Sequence, residues 1–242
     1  MCQNFSGNAR ALEETPEEGL HLPKRNYQVI IPTLNEEKRI GAVLSGLNAG
    51  RDAFVIDGGS ADKTLRIARA HKATVISEPK AGNGAAFKKG ALAARARYIA
   101  TIDGDGTYPA GQIGKCLEIM EARGADALFG DRLANGRGTM RPAHYAGNLL
   151  VTFFINAIFG TRMTDSQSGF CIFRKSAVLE NMPVSDGMPH CQEIKIRLLK
   201  SGRKCITVPI EYHDRRNGSK FRFFQDGISL AWEAIMLKAG GL

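Results

Sequence analysis

Two carboxylates one residue apart, Asp103 and Asp105, close an apolar run that begins at Tyr98 and reads Tyr-Ile-Ala-Thr-Ile-Asp-Gly-Asp-Gly-Thr-Tyr-Pro. Residues i and i+2 of a strand share a face, so at a strand end both carboxylates could converge on one hard cation. Such a cation takes oxygen ligands and commonly bridges substrate phosphates. Gly104 and Gly106 leave room for a ligand against the backbone, and Pro109 suits the first turn of a following helix. Taken alone, an Asp-X-Asp pair in a turn more often just faces water. The elements around this pair decide between the two readings.

Short β-branched runs at 28–32, 53–57, 73–77, 98–103 and 125–130 predict strands. Helices are expected between them: from Asn35-Glu36-Glu37 through Leu47, through Leu65 and Ile67, over 85–94, and over 109–123. This alternation predicts an α/β fold, a mostly parallel sheet with helices on both faces. Ligands of such sheets sit outside the carboxyl ends of the strands. Glu36, Asp57, Asp103, Asp105, Asp131 and Arg132 all fall at or just after those ends. The alternation then gives way to a long apolar helix at 144–159, a polar loop at 164–169, and a strand at 170–173. A helix at 192–200 and a last strand at 205–210 follow.

The chain of 242 residues supports one sizeable core, and its 43% hydrophobic and 24% charged content is ordinary for a globular protein. Residues 1–26 are polar and acidic, unlike a signal peptide, and are expected to be a disordered leader. Five scattered cysteines show neither zinc spacing nor a disulfide framework, which fits a reducing compartment. The net charge of +9 is uneven: residues 195–222 hold nine basic side chains against Glu211 and Asp214. That concentration points to an anionic partner, phosphate or lipid, with a merely solvated basic face as the plain alternative. No nucleic-acid-binding motif accompanies it. Residues 226–242 predict an amphipathic tail that either packs on its own domain or lies on a membrane.

Three motifs together resemble the family 2 glycosyltransferases of the GT-A fold. They are Ile30-Ile31-Pro32-Thr33-Leu34-Asn35-Glu36-Glu37, then Val55-Ile56-Asp57-Gly58-Gly59-Ser60-Ala61-Asp62-Lys63-Thr64, then Asp103-Gly104-Asp105. The likeness covers about residues 27 to 225, the expected catalytic domain. Within the family the chain looks most like the dolichol-phosphate mannosyltransferase and polyprenyl-phosphate glucosyltransferase branch. Gly130-Asp131-Arg132, Gln167-Ser168-Gly169-Phe170, Val208-Pro209-Ile210-Glu211-Tyr212 and the basic stretch after them point there.

The resemblance implies an inverting transfer of a hexose from GDP-mannose or UDP-glucose to a polyprenyl or dolichyl phosphate, with Mg2+ or Mn2+. Pro32, Leu34, Glu36, Asp57 and Gly84 would serve the nucleotide, with Asp103 and Asp105 at the metal and diphosphate. Arg132, Arg215 and Lys220 would stabilise phosphates, while Gln167, Ser168, Gly169, Arg174, Glu193 and Arg216 would shape the sugar and acceptor side. The implied setting is peripheral, at the cytosolic face of a membrane, with a separate membrane subunit as a candidate partner. The chain departs from the pattern at Leu34, where an aromatic is usual, at Gly58, often a second aspartate, and at Thr107, where the mannosyltransferases carry glutamine. A transferase with a soluble hydroxyl acceptor is the nearest alternative, for which Glu193 is the candidate base. A dinucleotide-binding oxidoreductase is disfavoured, since no Gly-X-Gly-X-X-Gly follows the first strand. A non-catalytic anion- or lipid-binding module would leave the Asp-X-Asp pair without purpose.

Overall fold

The computed structural model describes residues 26–47, 52–79, 82–213 and 235–239. Seven strands form one sheet: β1 (Tyr27–Thr33), β2 (Ala53–Asp57), β3 (Thr74–Ser77), β4 (Tyr98–Thr101), β5 (Ala127–Asp131), β6 (Cys171–Arg174) and β7 (Cys205–Pro209). The helices are α1 (Ile40–Ser45), α2 (Thr64–Ala70), α3 (Asn83–Ala93), α4 (Ile113–Ala122), α5 (Gly136–Thr139), α6 (Pro142–Phe159), α7 (Lys175–Glu180) and α8 (His190–Lys200). A 3-10 turn at Ala110–Gln112 precedes α4. The strand order is β3-β2-β1-β4-β6-β5-β7. All neighbours run parallel except β6, which is antiparallel to both β4 and β5.

Strand alternation sorts the core into two layers. Val29, Ile31, Val55, Ala100, Leu128 and Ile172 face one side and pack with Val43 and Leu44 of α1, Ala68 of α2 and Leu117 of α4. Ile30, Ile56, Ile99, Phe129 and Phe173 face the other, against Phe87 of α3, Val178 of α7 and Leu198 of α8. Because both faces are covered, the strands read as continuous apolar runs. A third cluster joins Ile155 and Phe159 of α6 to Met163 and Ile196, with Leu237 packed against it.

Three expectations need correction. The strand expected at 98–103 ends at Thr101, so Asp103 and Asp105 stand on a turn, with Gly106 at φ 74°. Their approach therefore depends on the turn and not on strand alternation. Asn35, Glu36 and Glu37 do not start a helix; Asn35 has φ 54° and α1 begins at Ile40. These residues lace the end of β1 to the turn after β2. Asn35 N–H donates to Ser60 Oγ at 2.9 Å, Glu36 N–H to Thr64 Oγ1 at 2.8 Å, and Lys63 N–H to Glu37 Oε2 at 3.0 Å. The basic segment is also partly internal. Lys195 is fully buried, and Arg197 and Arg203 pair with Glu193 and Glu180. The expected leader lies outside the described residues apart from residue 26. Of the expected tail, only 235–239 are described: they are helical, with Leu237 against the α6 cluster.

Candidate active site

Parallel strands β1, β2, β4 and β5 deliver their carboxyl ends to one edge of the sheet. β6 runs the other way, so the loop preceding it, residues 164–169, is brought to that same edge. The Asp-X-Asp turn and this loop meet at Gly169. Thr101 Oγ1 donates to Gly169 O at 2.7 Å, and Gly169 N–H donates to the phenol oxygen of Tyr108 at 2.9 Å. Asp103 faces the Cα of Gly169: a Cβ there would lie 3.1 Å from Asp103 Oδ2. Burial pushes the Tyr108 phenol well above its ordinary value, so it stays a neutral partner.

Asp105 is held by its own turn, its Oδ1 accepting from Thr107 N–H at 3.1 Å and Thr107 Oγ1 at 2.8 Å. Thr107 is buried, and its carbonyl accepts from His213 N–H at 2.9 Å. That bond fixes the chain beside Asp105 immediately before Arg215, Arg216 and Lys220, which lie outside the described residues. Gly104 packs against the end of β1, where a Cβ would meet Thr33 Oγ1 at 2.9 Å. Among the described residues no group of three or more His, Cys, Asp or Glu is gathered to hold a metal. Carboxylate oxygens such as those of Asp103 and Asp105 are the donors that hard cations of the Mg2+ or Mn2+ type take.

Of the residues expected at the nucleotide, Pro32 lies in β1 beside Ile56, and Asp57 ends β2 opposite Thr33. The Asp57 carboxylate is buried and accepts from Gly59 N–H at 3.0 Å and Ser60 N–H at 3.1 Å, so it also shapes the turn. Leu34 is 46% exposed and lies near Gly58, while buried Glu36 has Arg39 at 3.7 Å. Gly84 has a different neighbour from the one expected. A Cβ there would come 2.2 Å from Ser185 O, and Ala85 N–H donates to Asp186 O at 3.0 Å. The start of α3 is thus occupied by the chain's own 185–187 loop, which accounts for Gly82 and Gly84 without a phosphate.

The residues expected on the acceptor side form a hydrogen-bonded wall. Arg132, one residue past β5, is buried and holds Asp165 through Nε at 2.7 Å and Nη2 at 2.8 Å, with Nη2 also donating to Asn148 Oδ1 at 3.2 Å. Its guanidinium lies over the Tyr212 ring, 5.5 Å from the centroid. Burial alone would raise the Asp165 carboxyl, but the Arg132 cation outweighs it and holds the group below its ordinary value. Gln167 Nε2 donates to Gln192 Oε1 at 2.9 Å. Ser168 is fully buried, and its Oγ meets no hydrogen-bond partner among the described residues. Lys195 Nζ donates to the carbonyls of Asp165, Ser166 and Ser168 at 3.1, 3.3 and 2.9 Å.

Two expected acceptor residues are engaged by partners of their own. Glu193 is fully buried, accepting from Val184 N–H at 2.8 Å, Ser185 N–H at 2.9 Å and Arg197 Nε at 2.7 Å. Those donors hold its carboxyl down against the upward push of burial, and the residue anchors the 184–187 loop. Arg174 pairs with Asp126 at 3.0 Å and lies opposite Tyr98 in register, at the amino end of β4. Antiparallel β6 carries it to the sheet edge away from Asp103. Asp165, Lys195 and Tyr108 were not among the expected site residues. Asp165 lay within the polar loop already singled out; Lys195 falls on the apolar stripe 191, 194, 195, 198 of α8, a spacing that signals burial.

A mostly parallel sheet with an acidic turn and a polar loop gathered at its carboxyl edge is an α/β architecture that takes its ligands at that edge. The chain belongs to glycosyl transferase family 2, whose family model matches residues 28–181. It is 31% identical over 205 residues to the dolichyl-phosphate hexose transferase of Haloferax volcanii, covering 84% of this chain and 89% of that one. It is 32% identical to the low-salt glycan biosynthesis hexosyltransferase Agl6 of the same organism, over 82% of this chain but 50% of that relative's length. Among solved structures, glucosyl-3-phosphoglycerate synthase from Mycobacterium tuberculosis shares the fold. Its complex with Mn2+, UDP and phosphoglyceric acid matches at TM-score 0.70 and 18% identity, over 90% of this chain and 80% of that one. The same synthase is also known with Mg2+ and UDP.

Proposed function

We propose that this glycosyltransferase moves a hexose from a nucleotide-sugar to a polyprenyl phosphate, with a divalent cation, Mg2+ or Mn2+, at Asp103 and Asp105. The observation that carries the reading is the junction at Gly169, where the acidic turn and the acceptor loop are joined through Thr101, Tyr108 and Asp103. The likeness to a dolichyl-phosphate hexose transferase over most of both chains supports the lipid-phosphate acceptor.

The chemistry follows from charge. A phosphate oxygen of the acceptor attacks the anomeric carbon as the bond from that carbon to the diphosphate breaks, and the nucleoside diphosphate leaves with the bonding pair. The bound cation would supply electrostatic stabilisation of that leaving group. An acceptor that is already an anion needs no general base. In keeping with this, the Glu193 carboxylate is engaged by Val184, Ser185 and Arg197. Asp103 and Asp105 would hold the cation that neutralises the diphosphate, while loop 164–169, backed by Arg132 and Lys195, receives the acceptor. Arg215, Arg216 and Lys220 follow directly on His213, which is tied to Thr107, and would neutralise acceptor or donor phosphate.

The test is transfer from radiolabelled GDP-mannose and UDP-glucose to polyprenyl phosphate in vesicles, with metal and with chelator. Label should move into the lipid fraction only with metal, and Asp105→Asn should abolish it. Transfer only to hydroxyl acceptors, or transfer undiminished by chelator, would overturn the corresponding half of the reading.

A further inference from the structure

Helix α6 presents an outward face without a single charged side chain. Among the described residues Leu149 is 43% exposed, Leu150 68%, Phe153 71% and Phe154 37%. Exposed Pro142, Ala143, Ala146 and Ala157 continue the same stripe at helical spacing. From Leu133 to Thr164 the chain contains no Asp or Glu, yet it carries arginines at 137, 141 and 162, and Arg141 and Arg162 are exposed. Near the carboxyl end of α6, Lys238 adds a further cation, 5.8 Å from the Phe159 ring centroid. A contiguous bare apolar patch of this kind marks an interaction surface.

The opposite face of the helix is tied to the site. Asn148 Oδ1 accepts from Arg132, and Thr152 Oγ1 accepts from Ser166 N–H at 3.1 Å and lies 3.0 Å from Ser166 Oγ. Asn156 clamps Met163 through both its amide atoms, at 2.8 and 2.9 Å. The helix that offers apolar surface outward is therefore also the outer wall of the acceptor loop.

We propose that α6 lies in the headgroup–acyl boundary of an anionic bilayer. Leu149, Leu150, Phe153 and Phe154 enter the acyl region, with Arg141, Arg162 and Lys238 at the phosphate level. The proposal rests on the lipid-phosphate reading of the acceptor and adds the surface that brings the enzyme to it. Charge favours a bilayer over a second copy of the chain. An isologous pair crossing on this stripe would bring together the arginine-flanked ends of two segments that contain no Asp or Glu from 133 to 164, like charge facing like. Anionic headgroups meet the same arginines favourably. Among the described helices none is long and apolar enough to cross a membrane, so α6 would lie along the boundary. Docked so, it would hold loop 164–169 near the headgroups, where a lipid acceptor presents its phosphate while its hydrocarbon stays in the bilayer.

The experiment compares the full chain with its Leu150→Glu/Phe153→Glu variant. The probe is vesicles of phosphatidylcholine and phosphatidylserine without polyprenyl phosphate, so the result does not depend on any transfer assay. The parent should co-sediment at low salt, and the variant should partition at least about tenfold more weakly, as expected when acids replace apolar anchors. Both should keep the same thermal midpoint, nucleotide affinity and sedimentation coefficient. Absence of parental binding, or equal binding by the variant, overturns the proposal. So does a variant whose midpoint collapses, since the face would then be covered by the protein's own chain. A lipid-free parent dimer that the variant dissolves overturns it in favour of a second copy. Loss of vesicle binding with retained transfer to a water-soluble short-chain prenyl phosphate would separate docking from catalysis.

Discussion

The Cα of Gly169 faces the Asp103 carboxylate so closely that a Cβ at that position would stand 3.1 Å from Oδ2 and 3.3 Å from Oδ1. The backbone on either side is fixed by Thr101 and Tyr108, so an added methyl group would have to displace the carboxylate. Gly169→Ala should lower kcat/KM by about 10²-fold, the cost of displacing a positioned group by an ångström or so. The thermal midpoint should move by only a few degrees. Metal titration of nucleotide binding checks the assignment: unchanged metal affinity would place the effect away from Asp103.

A second expectation concerns Arg132 and Asp165, a buried pair with contacts at 2.7 and 2.8 Å. Asp165→Asn leaves the Arg132 cation buried without its counter-charge and should cost about 3–5 kcal/mol in urea unfolding at neutral pH. The pair also predicts a pH dependence. Asp165 has a folded-state value depressed below 3.8, so its stabilising contribution is complete above the unfolded value and is lost as pH falls through the folded one. The stability gap between parent and variant should narrow in that acid range and stay flat from pH 5 to 8. A gap independent of acid would show that the charge on Asp165 is not what the fold uses.

The parts of the fold that were legible in the sequence are those where local pattern and tertiary burial agree. β1 and β2 are runs such as Val-Ile-Ile and Phe-Val-Ile-Asp, buried on both faces, and their limits are met within a residue. The apolar pattern of β4 outruns the strand because buried Ile102 continues it past the point where the chain turns. The short helices α5 and α7, four and six residues long, carry too little periodicity to register. The direction of β6 is not a local property at all, yet it places Gly169 beside Asp103 and carries Arg174 to the other edge. In the sequence Lys195 reads as one more charge of a basic segment, because a buried lysine is rare; its partners, three carbonyls of one loop, explain its burial.

Thr107 stands where the mannosyltransferase pattern has glutamine, and its side chain holds Asp105 Oδ1 at 2.8 Å. Hydrogen bonds to charged groups contribute about 1.5–3 kcal/mol, so Thr107→Val should lower kcat/KM by about 10- to 100-fold. Thr107→Ser, which keeps the hydroxyl, should stay near the parent. Calorimetric titration of metal in the presence of nucleotide should show the same order. Equal behaviour of the valine and serine variants would mean that the backbone N–H of Thr107 suffices to hold Asp105.

Lys195 supplies the last test, because it separates the proposed acceptor side from the proposed nucleotide side. Its ammonium is fully buried, 2.9 Å from Ser168 O and 3.1 Å from Asp165 O, and sits over the Phe129 ring at 5.6 Å. Burial alone would lower its value, but Cys191, Cys171 and Asp165 together hold it above the ordinary lysine range, so it is charged at neutral pH. Lys195→Met keeps the length of the side chain and removes the donor, leaving the loop carbonyls without it at about 1–3 kcal/mol per orphaned group. The thermal midpoint should therefore fall. The loop should also loosen, raising KM for the proposed lipid-phosphate acceptor about tenfold, equivalent to about 1.4 kcal/mol of binding. No described atom of Lys195 bonds to the residues around Pro32 and Asp57, so the nucleotide dissociation constant should stay within about twofold of the parent, a difference of less than 0.5 kcal/mol. A matching loss of nucleotide affinity would assign Lys195 to the stability of the whole sheet edge; a change confined to the acceptor would make it a positioning residue of loop 164–169.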